Sequence, residues 1–563
     1  MDKRTILAVV LSLAVLLTYQ LFFAKAPAPP KQPAAPAQQS SQAPQEVKAI
    51  PAAPQKISAA AKSTVKATVA PKDIKVETSH YTAIFSTKGG ALKSFTLKDY
   101  QKDCATCAED IYPRLKNLIT GGGEPLKPKS AEHVELVNVK EGIPYPLTIT
   151  FPESGVDIDP DSTFETNIDK LDLINSTEKR HLVFSQTYED KIKLEKTFTF
   201  NPENYTISLD VKVYNLTGSP LSQIAKLSWQ QYVDPKQEEE SYSHNGPVSL
   251  VAGSIERPDV KKLDKEKALG PNVLWGGYES KYFIASFIPE NPSLSSFIMN
   301  REAIDIVSVG LKGKKEVIPG GQSGNFSYTL YLGPKDYNLM KKQGVSLEKA
   351  VEFESIIPGL KWLSIALLFC INFLNQYVSN YGVAIIILTL LIKILFWPLG
   401  NLSYKSMNEM KKLQPKIAEL KDKYKNDQSK IGPETMALYR SHKVNPFGGC
   451  LPMVIQIPVF IGLYNTLLYA IELRHSPFFW WIQDLSAKDP YYITPIIMGA
   501  TQFLQQKMTP TMGDPMQAKI MLLMPVVFTF FFLNFPSGLV IYWLFNNILS
   551  IGQQYYTNKK LAS

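Results

Sequence analysis

The chain has 563 residues, 45% hydrophobic and 20% charged, with a formal net charge of +9 and a mean hydropathy of −0.08. Four Cys in this length cannot staple a fold, and the composition excludes a collagen-like or wholly disordered protein. It does not exclude a membrane protein, because residues 24–72 hold no aromatic residue while residues 520–555 are almost entirely apolar. The charge is equally uneven: residues 24–72 carry seven Lys against one Glu, and residues 401–450 carry nine Lys and one Arg against five acids. Those two segments exceed the total, so the rest is slightly acidic. With no aromatic-studded basic face to stack bases, nucleic acid is not expected as a substrate.

Met1-Asp2-Lys3-Arg4 precedes an apolar run from Ile6 to Phe23, long enough at about 18 residues to cross a hydrocarbon core of about 30 Å. A cleaved signal peptide would fit, but Pro27 would follow the cut after Ala24-Lys25-Ala26. An uncleaved anchor over residues 1–23 is the preferred reading, with Lys3 and Arg4 holding its start in the cytoplasm. The chain beyond the anchor is then exported. Residues 24–72, rich in Ala, Pro, Gln and Lys, are expected to form a disordered tether.

Residues 73–340 read as one large antiparallel β-sandwich. Short β-branched and aromatic runs such as Leu194 to Phe200 and Tyr205 to Tyr214 alternate between faces and are separated by Gly, Pro, Asn and Asp. Cys104 and Cys107 form a C-x-x-C pair that could be a local disulfide, two free thiols, a redox pair or half a zinc site; no second ligand pair or βαβ context accompanies it. His80, His133, His181 and His244 are scattered singly. No enzyme signature emerges and no cofactor is expected.

Residues 341–381 are expected to carry an amphipathic helix lying in the interface, over about 356–378, with Lys361 and Trp362 placed as such a helix wants them. It could instead span. Parity decides: Gly382 to Leu399 is apolar and the basic segment 401–450 after it must be cytoplasmic, so one span suffices. Further spans are expected at about 451–471, 491–506, 520–535 and 539–555, the last two joined by Pro536-Ser537-Gly538. With the anchor that makes six, and Lys559 and Lys560 leave the C-terminus cytoplasmic. Residues 382–563 would form a five-helix core. Within 401–450, Met407, Met410 and Leu413 share helical spacing with Ile417 and Leu420, and Gly432-Pro433 is expected to break the run into a mobile hairpin.

Lys393 lies inside the apolar stretch Ile385 to Trp397. A charge there costs about 2.5 to 3.5 kcal/mol even on insertion scales, so it snorkels or meets water and partners. Thr389 stands one turn before it on the same face. Gln456, Gln502, Gln505, Asn546 and Asn547 lie in neighbouring spans, but no intramembrane Asp or Glu does. With Trp543, these residues are read as lining a polar, hydrated, cationic groove, against the alternative that each amide is interhelical glue. Such a groove suits transient capture of an acidic peptide whose apolar residues leave sideways into lipid. The competing class is a polytopic solute transporter or channel with a binding domain, which would show solute flux and a coupling ion. A sugar-binding or mutarotase-like enzyme would need catalytic His and carboxylates that are not found.

Leu413-Gln414-Pro415-Lys416-Ile417, Val444-Asn445-Pro446-Phe447-Gly448-Gly449-Cys450-Leu451-Pro452, Gln456-Ile457-Pro458-Val459-Phe460, Asp489-Pro490-Tyr491-Tyr492-Ile493 and Phe535-Pro536-Ser537-Gly538-Leu539 occur in order, with Thr87-Lys88-Gly89-Gly90 upstream. In this the chain resembles the YidC family of membrane protein insertases, in its long Gram-negative form. The resemblance implies a membrane α-helical core plus a large periplasmic antiparallel β-supersandwich, in the bacterial inner membrane. It also implies a substrate slide where Ile457, Phe460 and Phe531 sit. The partners implied are nascent membrane proteins, the Sec translocon, membrane lipids, and the ribosome through the basic loop and C-terminus. One departure is that the family pattern usually has Arg where this chain has Lys393, which keeps the charge but loses the planar fork.

Overall fold

The structure, a computed structural model, describes residues 70–104, 107, 132–140, 142–152, 158–233, 244–263, 265–303, 305–353, 359–424, 427–445, 451–509 and 515–562. The expected anchor 1–23, all but the last three residues of the tether, and Cys450 lie outside them.

Alternation builds the β-domain. Ile192–Phe200 and Thr206–Asn215 bury every second residue, as strands with one wet face must. They join Arg180–Tyr188, Ser323–Pro334, Phe283–Pro289, Val273–Glu279, Gly246–Val251 and Ser254–Glu256 in an antiparallel eight-stranded sheet. Register sets Phe200, Ile207, Leu330, Phe287 and Gly276 in one row across one face. Two five-stranded sheets cover that face. Phe85 of the first lies 4.7 Å from Phe198 and 5.7 Å from Phe200 between ring centroids. Trp229 of the second lies 5.8 Å from Phe287, and Phe297 fills the space over Gly276 so that no Cβ fits there. The first of these sheets departs from the all-antiparallel expectation: Asp73–Glu77 pairs in parallel with Lys170–Asp172.

Lys196 stands on the inner face of its strand, fully buried, at the seam between the two covering sheets. Its Nζ donates to Gly89 O, Gly90 O and Leu147 O at 2.7, 3.1 and 3.3 Å. Gly89 and Gly90 both have positive φ, and Gly90 abuts Phe164 and Phe184, which explains why the Thr87-Lys88-Gly89-Gly90 turn needs its glycines. Burial pushes the amine down to about 7. The unfolded chain therefore holds the proton up to about pH 10 while the fold releases it near 7, so the lysine's contribution to stability rises with pH between those limits. Lys196→Met orphans three buried carbonyls and is expected to cost about 2 to 3 kcal/mol at pH 7. In urea titrations from pH 7 to 9 the native protein should gain on the variant by up to about 1.4 kcal/mol per pH unit; parallel curves would refute the linkage.

Helices α1 (Tyr337–Lys341) and α2 (Lys361–Val378) lead to α3 (Tyr381–Leu395), α4 (Trp397–Lys423), α5 (Gln428–Ser441), α6 (Leu451–Tyr469), α7 (Ile493–Met508), α8 (Pro515–Phe532) and α9 (Ser537–Ala562). Among the described residues no single helix is long and apolar enough to cross a membrane; α3 and α4, bent by 62°, could do so only as a pair. Thus the stretch 382–399 expected as one span breaks at Phe396, because Pro398 in the first turn of α4 lacks the N–H that would continue α3. Gly432-Pro433 does not break the hairpin as expected. It lies inside α5, as its fifth and sixth residues, where Pro433 forgoes the bond its N–H would make to Ser429 O without ending the helix; instead α4 ends at Lys423 and α5 begins at Gln428. Nor is the hairpin free at its root. Gln553 donates to Trp397 O and Asn401 Oδ1 at 3.0 and 3.2 Å, Thr557 donates to Asn401 Oδ1 at 2.9 Å, and Asn408 donates to Asn558 at 2.7 Å, fastening α4 to α9.

Helix α2 exposes Trp362, Phe369, Phe373 and Tyr377 along one side. Its other side packs on α6, where Thr466 Oγ1 donates to Ser364 O at 2.9 Å and Gly462 admits Leu363 and Leu367.

Candidate substrate groove and the loop at its end

The apolar residues of α3 sort by face. Ala384, Ile385, Leu388 and Thr389 are buried, while Leu390, Leu391, Ile394 and Leu395 are exposed. Helical spacing puts Lys393 in line with Ile385 and Thr389 on the inward face, half-buried. Among the described residues its Nζ has no hydrogen bond or ion pair. Thr389 Oγ1 donates to Ile385 O at 2.6 Å, which satisfies its proton within the helix.

The amides of α6, α7 and α9 fall into two clusters flanking α9. Gln456 on α6 donates from Nε2 to Tyr542 Oη at 3.0 Å and to Asn546 Oδ1 at 3.4 Å. Asn547, one residue on and so about 100° round the helix, turns to α7 and donates to Met498 O and Thr501 Oγ1, both at 3.4 Å. Gln502 keeps a buried Oε1 with no partner among the described residues, and half-buried Gln505 serves through its backbone, accepting from Thr509. Tyr542, Thr501 and Gln506, whose Nε2 is also buried without a partner among the described residues, do not stand out in the sequence. Tyr542 has the stronger signal of the three, since it stands four residues before Asn546 on one face.

Trp543 is half-buried among Phe460, Phe528 and Phe532, with centroids at 4.8, 6.2 and 5.1 Å. Phe460 is thus packed into the bundle, Ile457 is half-buried, and Phe531 is exposed. At the α7–α8 crossing Gly499 meets Thr529 with no room for a Cβ. Gly499→Val is expected to force these helices apart, lowering insertion about tenfold if the crossing loses about 1.4 kcal/mol. Insertion assays in reconstituted vesicles check this; an unimpaired variant would mean that the crossing tolerates displacement.

The segment between α6 and α7 fastens the starts of three helices. Asn380 caps α3 through Val383 N and donates to Phe478 O at 3.0 Å, while Phe478 fills the space over Gly382. Ser537 N donates to Ala487 O at 2.7 Å and Gly538 N to Leu485 O at 2.9 Å, so Pro536-Ser537-Gly538 opens α9 instead of lying in a free turn. Buried Asp489 accepts from Trp481 Nε1, Tyr491 N, Thr494 N and Thr494 Oγ1 at 2.7 to 3.1 Å, setting the start of α7.

The chain thus joins a helical bundle with polar residues on its inward faces to a β-rich domain. The 60Kd inner membrane protein family model matches residues 373–563, and the YidC periplasmic domain model matches residues 125–362. The membrane protein insertase YidC of Syntrophus aciditrophicus is 57% identical over 569 residues, covering all of both chains. That of Citrifermentans bemidjiense is 40% identical, again over all of both. A solved YidC insertase with its first transmembrane domain resolved aligns with 87% of this chain and 93% of its own at 21% identity and a TM-score of 0.36. The chain belongs to the YidC family of membrane protein insertases, bacterial inner-membrane proteins with a periplasmic domain.

Proposed function

We propose that this insertase receives hydrophobic segments of nascent membrane proteins from the cytoplasm in a hydrated groove bounded by α3, α6, α7 and α9, and releases them sideways into lipid. The observation that carries the reading is Lys393: a cation on the inward face of α3, with no carboxylate partner among the described residues, is available to an acidic substrate tail. Gln456, Gln502, Gln505, Asn546 and Asn547 supply amide partners that water and peptide can exchange, and Trp543, Thr389, Ile457, Phe460 and Phe531 line the route. Release is driven by burial of apolar substrate surface, about 25 cal/mol per Å², with the membrane potential drawing acidic tails outward. No covalent chemistry and no cofactor enter the scheme.

In this reading the chain crosses the membrane six times, counting residues 1–23, with both termini cytoplasmic and the β-supersandwich periplasmic. Helix α2 lies in the interface with Trp362, Phe369, Phe373 and Tyr377 toward lipid. The basic segment 401–450 and Lys559 and Lys560 offer contacts for a ribosome, and the Sec translocon is a second partner on larger substrates. The test is a photoreactive side chain at Gln456 or Asn546 with a translation-arrested substrate. Crosslinks to the acidic tail are expected there and not from Trp362; the reverse pattern would reject the groove.

A further inference from the structure

The C-x-x-C pair takes no part in the insertion route. Cys104 and Cys107 form a disulfide with Cα atoms 5.3 Å apart, and Cys107 N donates to Cys104 O at 3.2 Å, closing one turn just beyond the strand Ala91–Gln101. That turn abuts the loop that fastens the helices. Cys104 Sγ lies 3.8 Å from Gln483 O, and Arg474 Nη2 donates to Lys102 O at 2.9 Å. The Arg474 guanidinium is seated 5.9 and 5.4 Å from the ring centroids of Tyr282 and Phe283, and Tyr100 packs edge-on against Phe283 at 5.4 Å. On the loop's side, His475 N and Ser486 N donate to Asp484 Oδ1, and Leu485 N donates to Ser476 O.

We propose that Cys104–Cys107 is a thiol–disulfide exchange site that clamps the periplasmic β-domain onto the loop Arg474–Asp484, with a dithiol as its reaction partner. The thiolate of the dithiol attacks one sulfur, forming a mixed disulfide and releasing the other as a thiolate that takes up a proton. The partner's second thiol then displaces the remaining sulfur, leaving two protein thiols and an oxidised partner, two electrons having moved to this chain. The exported compartment is oxidising, so the clamp is closed by default. Both cysteines are half-buried, which leaves them reachable. Reduction returns freedom to the ring closed between Cys104 and Cys107, worth about tenfold or more in the population of its closed form on the chain-entropy account, which bounds the effect passed to the loop Arg474–Asp484. Lys102, two residues before Cys104, keeps its N–H bond to Glu132 O but holds its carbonyl less firmly opposite Arg474, and the loop that starts α3, α7 and α9 loses part of its outer support.

The test is hydrogen exchange on the full-length protein in lipid nanodiscs, with and without dithiothreitol, alkylation verifying that both thiols have been freed. Reduction should speed exchange by up to about tenfold in peptides covering residues 475–486 and leave the strands 192–213 protected. A Cys104→Ser, Cys107→Ser protein should match the reduced native one and ignore dithiothreitol. Arg474→Gln should speed the same peptides, with little further effect from reduction. Unchanged exchange with both thiols freed, loosening of the strands as well, or full additivity of Arg474→Gln with reduction would each overturn the clamp.

Discussion

Lys393→Glu is expected to reduce insertion of substrates with acidic translocated tails by on the order of a hundredfold or more, while Lys393→Arg stays close to the native protein. At about 8 Å and an effective dielectric constant of about 20, two unit charges interact by about 2 kcal/mol, so exchanging attraction for repulsion shifts the balance by about 4 kcal/mol. Water in the groove screens part of this, which brings the expected loss down to about a hundredfold. The reversed charge also faces Thr389, whose hydroxyl proton is already committed to Ile385 O, so the same side offers no new donor to offset it. The measurement is protease protection of the tail in reconstituted vesicles, with a neutral-tailed substrate as control. That control should suffer far less. Equal insertion of both substrates by Lys393→Glu would remove the charge from the mechanism and leave the groove as a purely polar passage.

The parts of this architecture carried by local periodicity were open to sequence reasoning. A strand such as Ile192–Phe200 shows its period of two, and a lysine inside an apolar run is conspicuous because its cost in lipid is large. The parts carried by distant contacts were not. Arg474 and Lys102 are 372 residues apart, and nothing in either neighbourhood signals the other. The amides of α9 illustrate the same limit at short range. Asn546 and Asn547 look like one polar site in sequence, but one helical step sends them to α6 and α7 respectively. Lys196 breaks the apolar alternation of Ile192, Leu194, Phe198 and Phe200, so its inward place is readable in the strand, but the distant carbonyls of Gly89, Gly90 and Leu147 that receive it are not. Pro398 and Pro433 differ in consequence: Pro398 stands second in α4, where no N–H is needed, and marks the break from α3, whereas Pro433 stands sixth in α5 and the helix absorbs the lost bond to Ser429 O, which the residue type alone does not reveal.

Glu279→Gln is expected to destabilise the β-domain by about 3 to 5 kcal/mol, because it leaves the buried Lys335 cation without its counter-ion. Glu279 is fully buried and receives Lys335 Nζ at 2.8 Å and Arg257 Nε at 2.6 Å. Arg257 also donates to Ala350 O at 2.8 Å and lies 3.5 Å from Glu352, tying the strand Val273–Glu279 to the segment that leads into α2. Burial alone would raise the carboxyl, but Lys335 and Arg257 outweigh it and hold it below its usual value of 4.5. The unfolded chain then takes up protons first on acidification, so this stabilisation is complete above the carboxylate range and lost as pH falls through it. In thermal unfolding followed by tryptophan fluorescence, the variant should melt roughly 10 °C lower at pH 7, and the gap should narrow toward pH 3. The double variant Glu279→Leu, Lys335→Met should lie closer to the native protein than either single change, since it removes the charge along with its partner. An unchanged melting point in Glu279→Gln would mean that Lys335 is solvated or neutral in the fold. Below its melting point the same variant separates the domains' roles: if capture rests on Lys393 and the amides of α6, α7 and α9, insertion should remain within about twofold of the native level, since Glu279 touches none of them and a change of that size is worth only about 0.4 kcal/mol. A loss as deep as that of Lys393→Glu would instead put the β-domain's seating on the helices directly in the insertion path.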